Sequence, residues 1–96
     1  MSQEASLKQR ITDDMKSAMR AREKERLGVI RLVLAAIKQR EVDERIELDD
    51  TQDLVVLDKM VKQRRDTIDK FEAGGMHAMV EHDIVELDWL RHYLPE

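Results

Sequence analysis

The sequence has no cysteine, one proline, three glycines and only three aromatic residues, Phe71, Trp89 and Tyr93. Without cysteine there is no disulfide, no thiolate nucleophile and no cysteine-ligated zinc. A reducing compartment suits such a chain, and the cytoplasm is the expected location. Scarce glycine, proline and aromatics leave little material for turns or strands. Long apolar runs are missing too. The longest, Val29–Ile37, is nine residues and contains Arg31, too short to span a bilayer. Met1 to Arg10 is polar and lacks the apolar core of a leader peptide. The expectation is a soluble chain with no membrane partner.

What is abundant is charge, 40% of the 96 residues against 42% hydrophobic. A chain of this length forms one domain and buries roughly two-thirds of its unfolded surface. The net charge of −4 hides an asymmetry: residues 1–45 carry 11 Lys/Arg against 8 Asp/Glu, and residues 46–96 carry 6 against 13. An acidic chain is not a typical stand-alone nucleic-acid binder, which shows a basic domain. A local basic face on the first half stays open, beside the plainer reading of solvated helix surfaces whose charges partly pair.

Apolar periodicity predicts four helices and no strands. The first starts at Ser6, with Gln9 three residues on as a capping box, and carries Leu7, Ile11, Met15, Ala18 and Met19 on one side. The second runs from about Lys24 to Glu44. Between Leu27 and Ile37 it is apolar nearly all round, so it is expected to be central and covered on several sides. No glycine or proline separates these two, and one continuous bent helix is the alternative. For the third helix Asp50 is the expected N-cap, with Asp53 in the first turn favouring the helix dipole. Its stripe is Leu54, Leu57, Val61, Ile68 and Phe71, and Gly74-Gly75 stops it. The fourth is expected over about Met76 to Tyr93, with Met79, Val80, Leu87, Leu90 and Leu94 on one side and Pro95 after it. A two-glycine connection makes the last two helices antiparallel neighbours. The fold class that follows is all-α, a four-helix antiparallel bundle-like domain.

The stripes are interrupted by charges. Arg64 breaks the third, Asp83 breaks the fourth with Glu86 beside it, and Arg31 lies inside the apolar run of the second, sharing an edge with Lys38 and Glu41. An unpaired buried charge costs several kcal/mol, on the order of the penalty for any desolvated ion. A buried interhelical network of Arg31, Lys38, Glu41, Arg64, Asp83 and Glu86 is therefore expected; the alternative is that these side chains snorkel from the core edge into water. A catalytic role for the same charges, through shifted pKa values in a cleft, is the weaker option.

Other chemistry is not signalled. There is no glycine-rich phosphate loop, and Ser2, Ser6 and Ser17 have no His and Asp at a recognisable spacing. His77, His82 and His92 are five and ten apart, off the three-or-four spacing for metal ligands on one helix, and the His77–Glu81 and His82–Glu86 pairs are commonplace on solvated helices. No metal, no cofactor and no catalytic residue are expected. Arg20, Arg22, Lys24, Arg26, Lys62 and Arg65 are candidates for phosphate contact, without interleaved aromatics for base stacking.

Four pieces together resemble a known family: Leu7-Lys8-Gln9-Arg10-Ile11; Leu32 to Lys38 followed by Glu41; Lys62-Gln63-Arg64-Arg65-Asp66; and Tyr93-Leu94-Pro95 seven residues after Glu86. The chain is similar to the GatB/YqeY family, specifically to stand-alone YqeY-like proteins, over nearly all its length. That resemblance implies an N-terminal four-helix domain at residues 1–94, with residues 95–96 opening a linker to a smaller helical domain absent here. The smaller domain resembles the tail of the amidotransferase B subunit that engages tRNA. Two positions depart from the family pattern: Gly75-Met76 stands where Gly-Arg is usual, and Asp83 keeps an acidic charge on a shorter arm. The resemblance implies a non-catalytic helical module linked to glutamine-dependent, tRNA-dependent amidation, a carbon–nitrogen ligation, with tRNA or an amidotransferase subunit as partner. A protein-interaction or self-association domain is the alternative.

Overall fold

A computed structural model describes residues 6–95, the side chain of Met79 excepted. Ser2, Glu96 and the Met79 contribution to the fourth stripe lie outside the described residues. The elements are α1 (Leu7–Ala21), α2 (Lys24–Glu44), α3 (Asp50–Ala73), one turn of 3-10 helix (His77–Met79) and α4 (Glu81–Arg91). No strand occurs among the described residues.

Local signals place most of the boundaries. Ser6 caps α1 by accepting from the Gln9 N–H at 3.1 Å. The Gln9 side chain does not complete the box; its amide donates to Asp13 instead. A complete capping box forms at α3, between Asp49 and Gln52. The N-cap is thus Asp49 rather than Asp50, because the Asp50 carboxylate is engaged by the Leu7 N–H at 3.0 Å. α1 and α2 are two helices, not one. Arg22 turns left-handed at φ 58°, and its N–H and that of Glu23 return to Met19 and Ala18, which closes α1 without glycine. At the end of α3 the positive φ falls on Gly75, at 73°. α4 is shorter than expected. Residues 77–79 tighten into a 3-10 turn, closed by the Val80 N–H donating to the His77 carbonyl, and the α-helix starts only at Glu81.

The helices form two antiparallel hairpins, α1/α2 and α3/α4, and α2 touches all the others. The core joins both hairpins through Ile11, Ile30, Val33, Ile37, Leu57 and Leu90, each at most 2% exposed. The expectation that α2 is central and covered on several sides holds, since α1, α3 and α4 all pack on it, but one side of its apolar run stays open. The helix buries Val29, Ile30, Val33 and Ile37, while Leu32 on the opposite side is 48% exposed. Met19, assigned to the first stripe, and Met76, expected to open the fourth helix, are also exposed. No described helix is long and apolar enough to cross a membrane.

Candidate functional site

Three polar clusters fasten the helices, and only one was anticipated. Between α3 and α4, the Arg64 guanidinium donates to Asp83 at 2.9 Å and reaches Glu86 at 2.6 Å. The two carboxylates are buried, at 8% and 6% exposure. The Arg64 side chain is 28% exposed, so the pair is closed on the acidic side and wet on the basic one. The second Glu86 oxygen meets His82 Nε2 at 2.5 Å, and that imidazole lies mostly in solvent. A forked guanidinium with two acids is well matched in geometry and holds the faces of α3 and α4 in register.

The remaining network residues are not brought there. Arg31 and Lys38 are exposed on α2, and neither makes an ion pair among the described residues. The reason is rotation. Both lie away from the stripe of Val29, Val33 and Ile37, a difference of face that one apolar run cannot reveal. Glu41 pairs with Lys8 of α1 at 2.5 Å rather than with Lys38.

That pairing belongs to a second cluster, where α1 meets the α2–α3 connection. Glu41 also accepts from the Leu48 N–H at 2.8 Å. The Lys8 bond and that backbone donor hold the Glu41 carboxyl below its ordinary range, and the same Glu41 contact raises the Lys8 ammonium. Beneath them sits Asp53, 1% exposed, with neither carboxylate oxygen hydrogen-bonded. Burial pushes its pKa up to about 6; Lys8 pulls the other way, and Glu41, Asp50 and Asp49 reinforce the rise. With Asp49 as the cap, Asp53 is the fourth residue of α3, still in its first turn as expected, and falls four before Leu57, on the core stripe. That spacing is the signal that would have found its burial.

The third cluster ties α1, α2 and the end of α4. The Tyr93 hydroxyl donates to Asp14 at 2.5 Å, and Arg26 approaches the other Asp14 oxygen at 3.7 Å. Arg26 also pairs with Glu23 at 2.9 Å and lies over the Trp89 ring, 5.3 Å from its centroid. The Glu23 bond raises the Arg26 pKa first of all, and burial, ahead of the bond to Asp14, raises that of Tyr93. No sequence spacing marks contacts between residues 79 positions apart.

Arg26 is therefore not free for phosphate, and Lys62 pairs with Asp58 at 2.9 Å. Arg20, Arg22, Lys24 and Arg65 are exposed and make no ion pair among the described residues. Among those residues no three His, Asp or Glu side chains converge as a metal-holding group.

The family described as Yqey-like protein matches the chain over residues 8–96. The chain belongs to that family. This YqeY-like chain is also similar to yeast proteins named "Altered inheritance of mitochondria protein 41, mitochondrial". The likeness is 35% identity over 85 residues in Eremothecium gossypii, covering 88% of this chain and 46% of the relative. In Kluyveromyces lactis it is 35% over 92 residues, covering 93% and 46%; in Lachancea thermotolerans it is 32% over 82 residues, covering 84% and 44%. The chain thus spans about half the length of the curated relatives it matches. Their names are those of mitochondrial proteins, which overturns the cytoplasmic expectation. That expectation rested on missing cysteine, which does not distinguish these compartments.

Proposed function

We propose that this YqeY-like chain is a non-catalytic helical module that serves tRNA-dependent amide formation, the carbon–nitrogen ligation with glutamine as nitrogen donor, by docking. The link to that reaction comes from the family resemblance and is an analogy at the level of the fold. What favours docking over chemistry is the disposition of the charges. Arg64, Asp83, Glu86, Lys8 and Glu41 are all held in ion pairs within the chain, while Arg20, Arg22 and Lys24 stand exposed around the α1–α2 turn. Cations in that position are suited to phosphates of a tRNA backbone. Fluorescence anisotropy with tRNA at low and physiological salt tests this. Binding that weakens as salt rises, and that loses about one unit of salt slope per Arg20→Ala or Lys24→Ala change, is expected. Absent or salt-insensitive binding rejects phosphate contact.

A second reading, a protein-interaction module without a nucleic-acid role, is favoured by one observation: Leu32, Val42 and Ile46 on the α2 side are 48%, 59% and 42% exposed. Light scattering across concentration separates its self-associating form, since a strict monomer at high concentration excludes it.

A further inference from the structure

The outer side of α2 combines two features that its packing does not use. Leu32, Ala35, Gln39 and Val42 follow at intervals of three and four along α2, Ile46 lies two residues past its end, and all five are exposed. Along one edge of this row run Arg31, Lys38 and Arg45, seven residues apart. All three are exposed, and none has an ion pair among the described residues. Seven helical residues advance about 10 Å, so Arg31 and Lys38, both within α2, repeat at the pitch of a helix–helix seam, and Arg45 follows just past the helix end. At its C-terminal end the row opens into a cleft of about 490 Å³ lined by Lys38, Val42, Arg45 and Ile46 beside the Lys8–Glu41 pair. Arg45 is presented there by the left-handed cap of α2, at φ 55°.

We propose that this face docks an amphipathic helix of a partner protein, its apolar row lying on Leu32, Val42 and Ile46 and its Asp/Glu edge facing Arg31, Lys38 and Arg45. Apolar rows laid side by side give the affinity and the edge charges give the partner choice. Other occupants match less well. Two copies of the chain packed antiparallel would set the cationic edge against itself; packed parallel, Lys38 would meet Asp43 but Arg31 would meet Ala36. An anionic membrane would meet Asp43, Glu44 and Glu47 at the same end of α2. Phosphates have no use for the apolar row. The proposal deepens the protein-interaction reading above, and its readout, peptide choice, does not depend on tRNA.

The test is anisotropy with two labelled amphipathic helical peptides that share a Leu/Ile row and differ only in edge charge, Glu or Lys. The full chain is expected to bind the Glu-edged peptide about tenfold more tightly, the sum of three modest exposed pairs. Arg31→Glu, Lys38→Glu and Arg45→Glu together are expected to reverse that order. Leu32→Lys with Val42→Lys is expected to abolish binding of both peptides, with the circular dichroism of the chain unchanged. Equal binding of the two peptides, or none, overturns the proposal. A dimer that dissolves on Leu32→Lys with Val42→Lys assigns the face to a second copy and overturns it too. So does sedimentation with phosphatidylserine vesicles that the triple charge reversal removes.

Discussion

Asp53 is a buried carboxyl whose charge the fold tolerates poorly. Its carboxyl titrates near 6 when folded against an ordinary 3.8, so folding favours the protonated form. Its contribution to stability is complete below 3.8 and is lost as pH rises through 6. At neutral pH the buried carboxylate then costs about 3 kcal/mol, two pH units at about 1.4 each. Lys8 offsets part of this, while Glu41, Asp50 and Asp49 add to it. Asp53→Asn is expected to stabilise the chain at pH 7.5 by about 1–2 kcal/mol, less than the full penalty because a buried amide still lacks partners. It should do little at pH 5. Urea unfolding at both values checks this, and an equal effect at each would show that Asp53 is already neutral or already paired. Arg64 poses the opposite problem. Arg64→Leu leaves Asp83 and Glu86 buried without their cation and is expected to cost about 2–4 kcal/mol. Asp83→Leu should cost less, because Glu86 keeps the guanidinium. The double change should show a coupling energy of about 1–2 kcal/mol in denaturant unfolding; additive losses would mean that the 2.9 Å contact carries no energy.

At the scale of elements, the local code was legible where residues act within one turn. Helix α2 begins and ends where its charge and apolar pattern place it, and Gly74-Gly75 stops α3. Legibility failed where a tertiary contact chose between equal local options. Asp49 and Asp50 are equally good caps, and the Leu7 N–H decides between them by engaging Asp50. The rotation of α2 was likewise illegible, because Leu32 and Val33 are equally apolar and only packing buries the second. The glycines give the clearest element-level prediction. Gly75 sits at φ 73°, where a side chain is strained. Gly75→Ala is expected to cost about 1 kcal/mol. Gly74 has ordinary backbone angles and only van der Waals neighbours at 3.6 Å, so Gly74→Ala should be nearly neutral. Gly28 lies within α2 with nothing within 4 Å of an added methyl, and Gly28→Ala should stabilise by about 0.5–1 kcal/mol. Denaturation midpoints rank the three, and a Gly75→Ala variant as stable as Gly74→Ala would refute the strain.

For the molecule as a whole, the question is what holds the two hairpins at a fixed angle. α1 and α4 share no direct helix–helix packing, yet the chain end after α4 is fastened to α1 by the Tyr93–Asp14 hydrogen bond. In the sequence, Tyr93-Leu94-Pro95 reads as a family marker and a helix stop, with Leu94 the last apolar residue of the fourth stripe. In the fold it is a latch: Leu94 packs on the core, and the Tyr93 hydroxyl closes the loop from residue 93 to residue 14. Burial and the bond to Asp14 raise the phenol's pKa, so the donor keeps its proton across the neutral range and the latch does not open with pH there. Tyr93→Phe keeps the ring and removes only this bond. A hydrogen bond to a charged acceptor contributes about 1.5–3 kcal/mol, and Arg26 remains beside Asp14, so a loss of about 1–2 kcal/mol is expected. The spatial signature is more telling than the size. Amide hydrogen exchange should speed up in α4 and in the middle of α1 together, while the far ends of α2 and α3 keep their protection. Uniform loss of protection across all four helices would show that the bond contributes only to global stability and does not set how the hairpins meet.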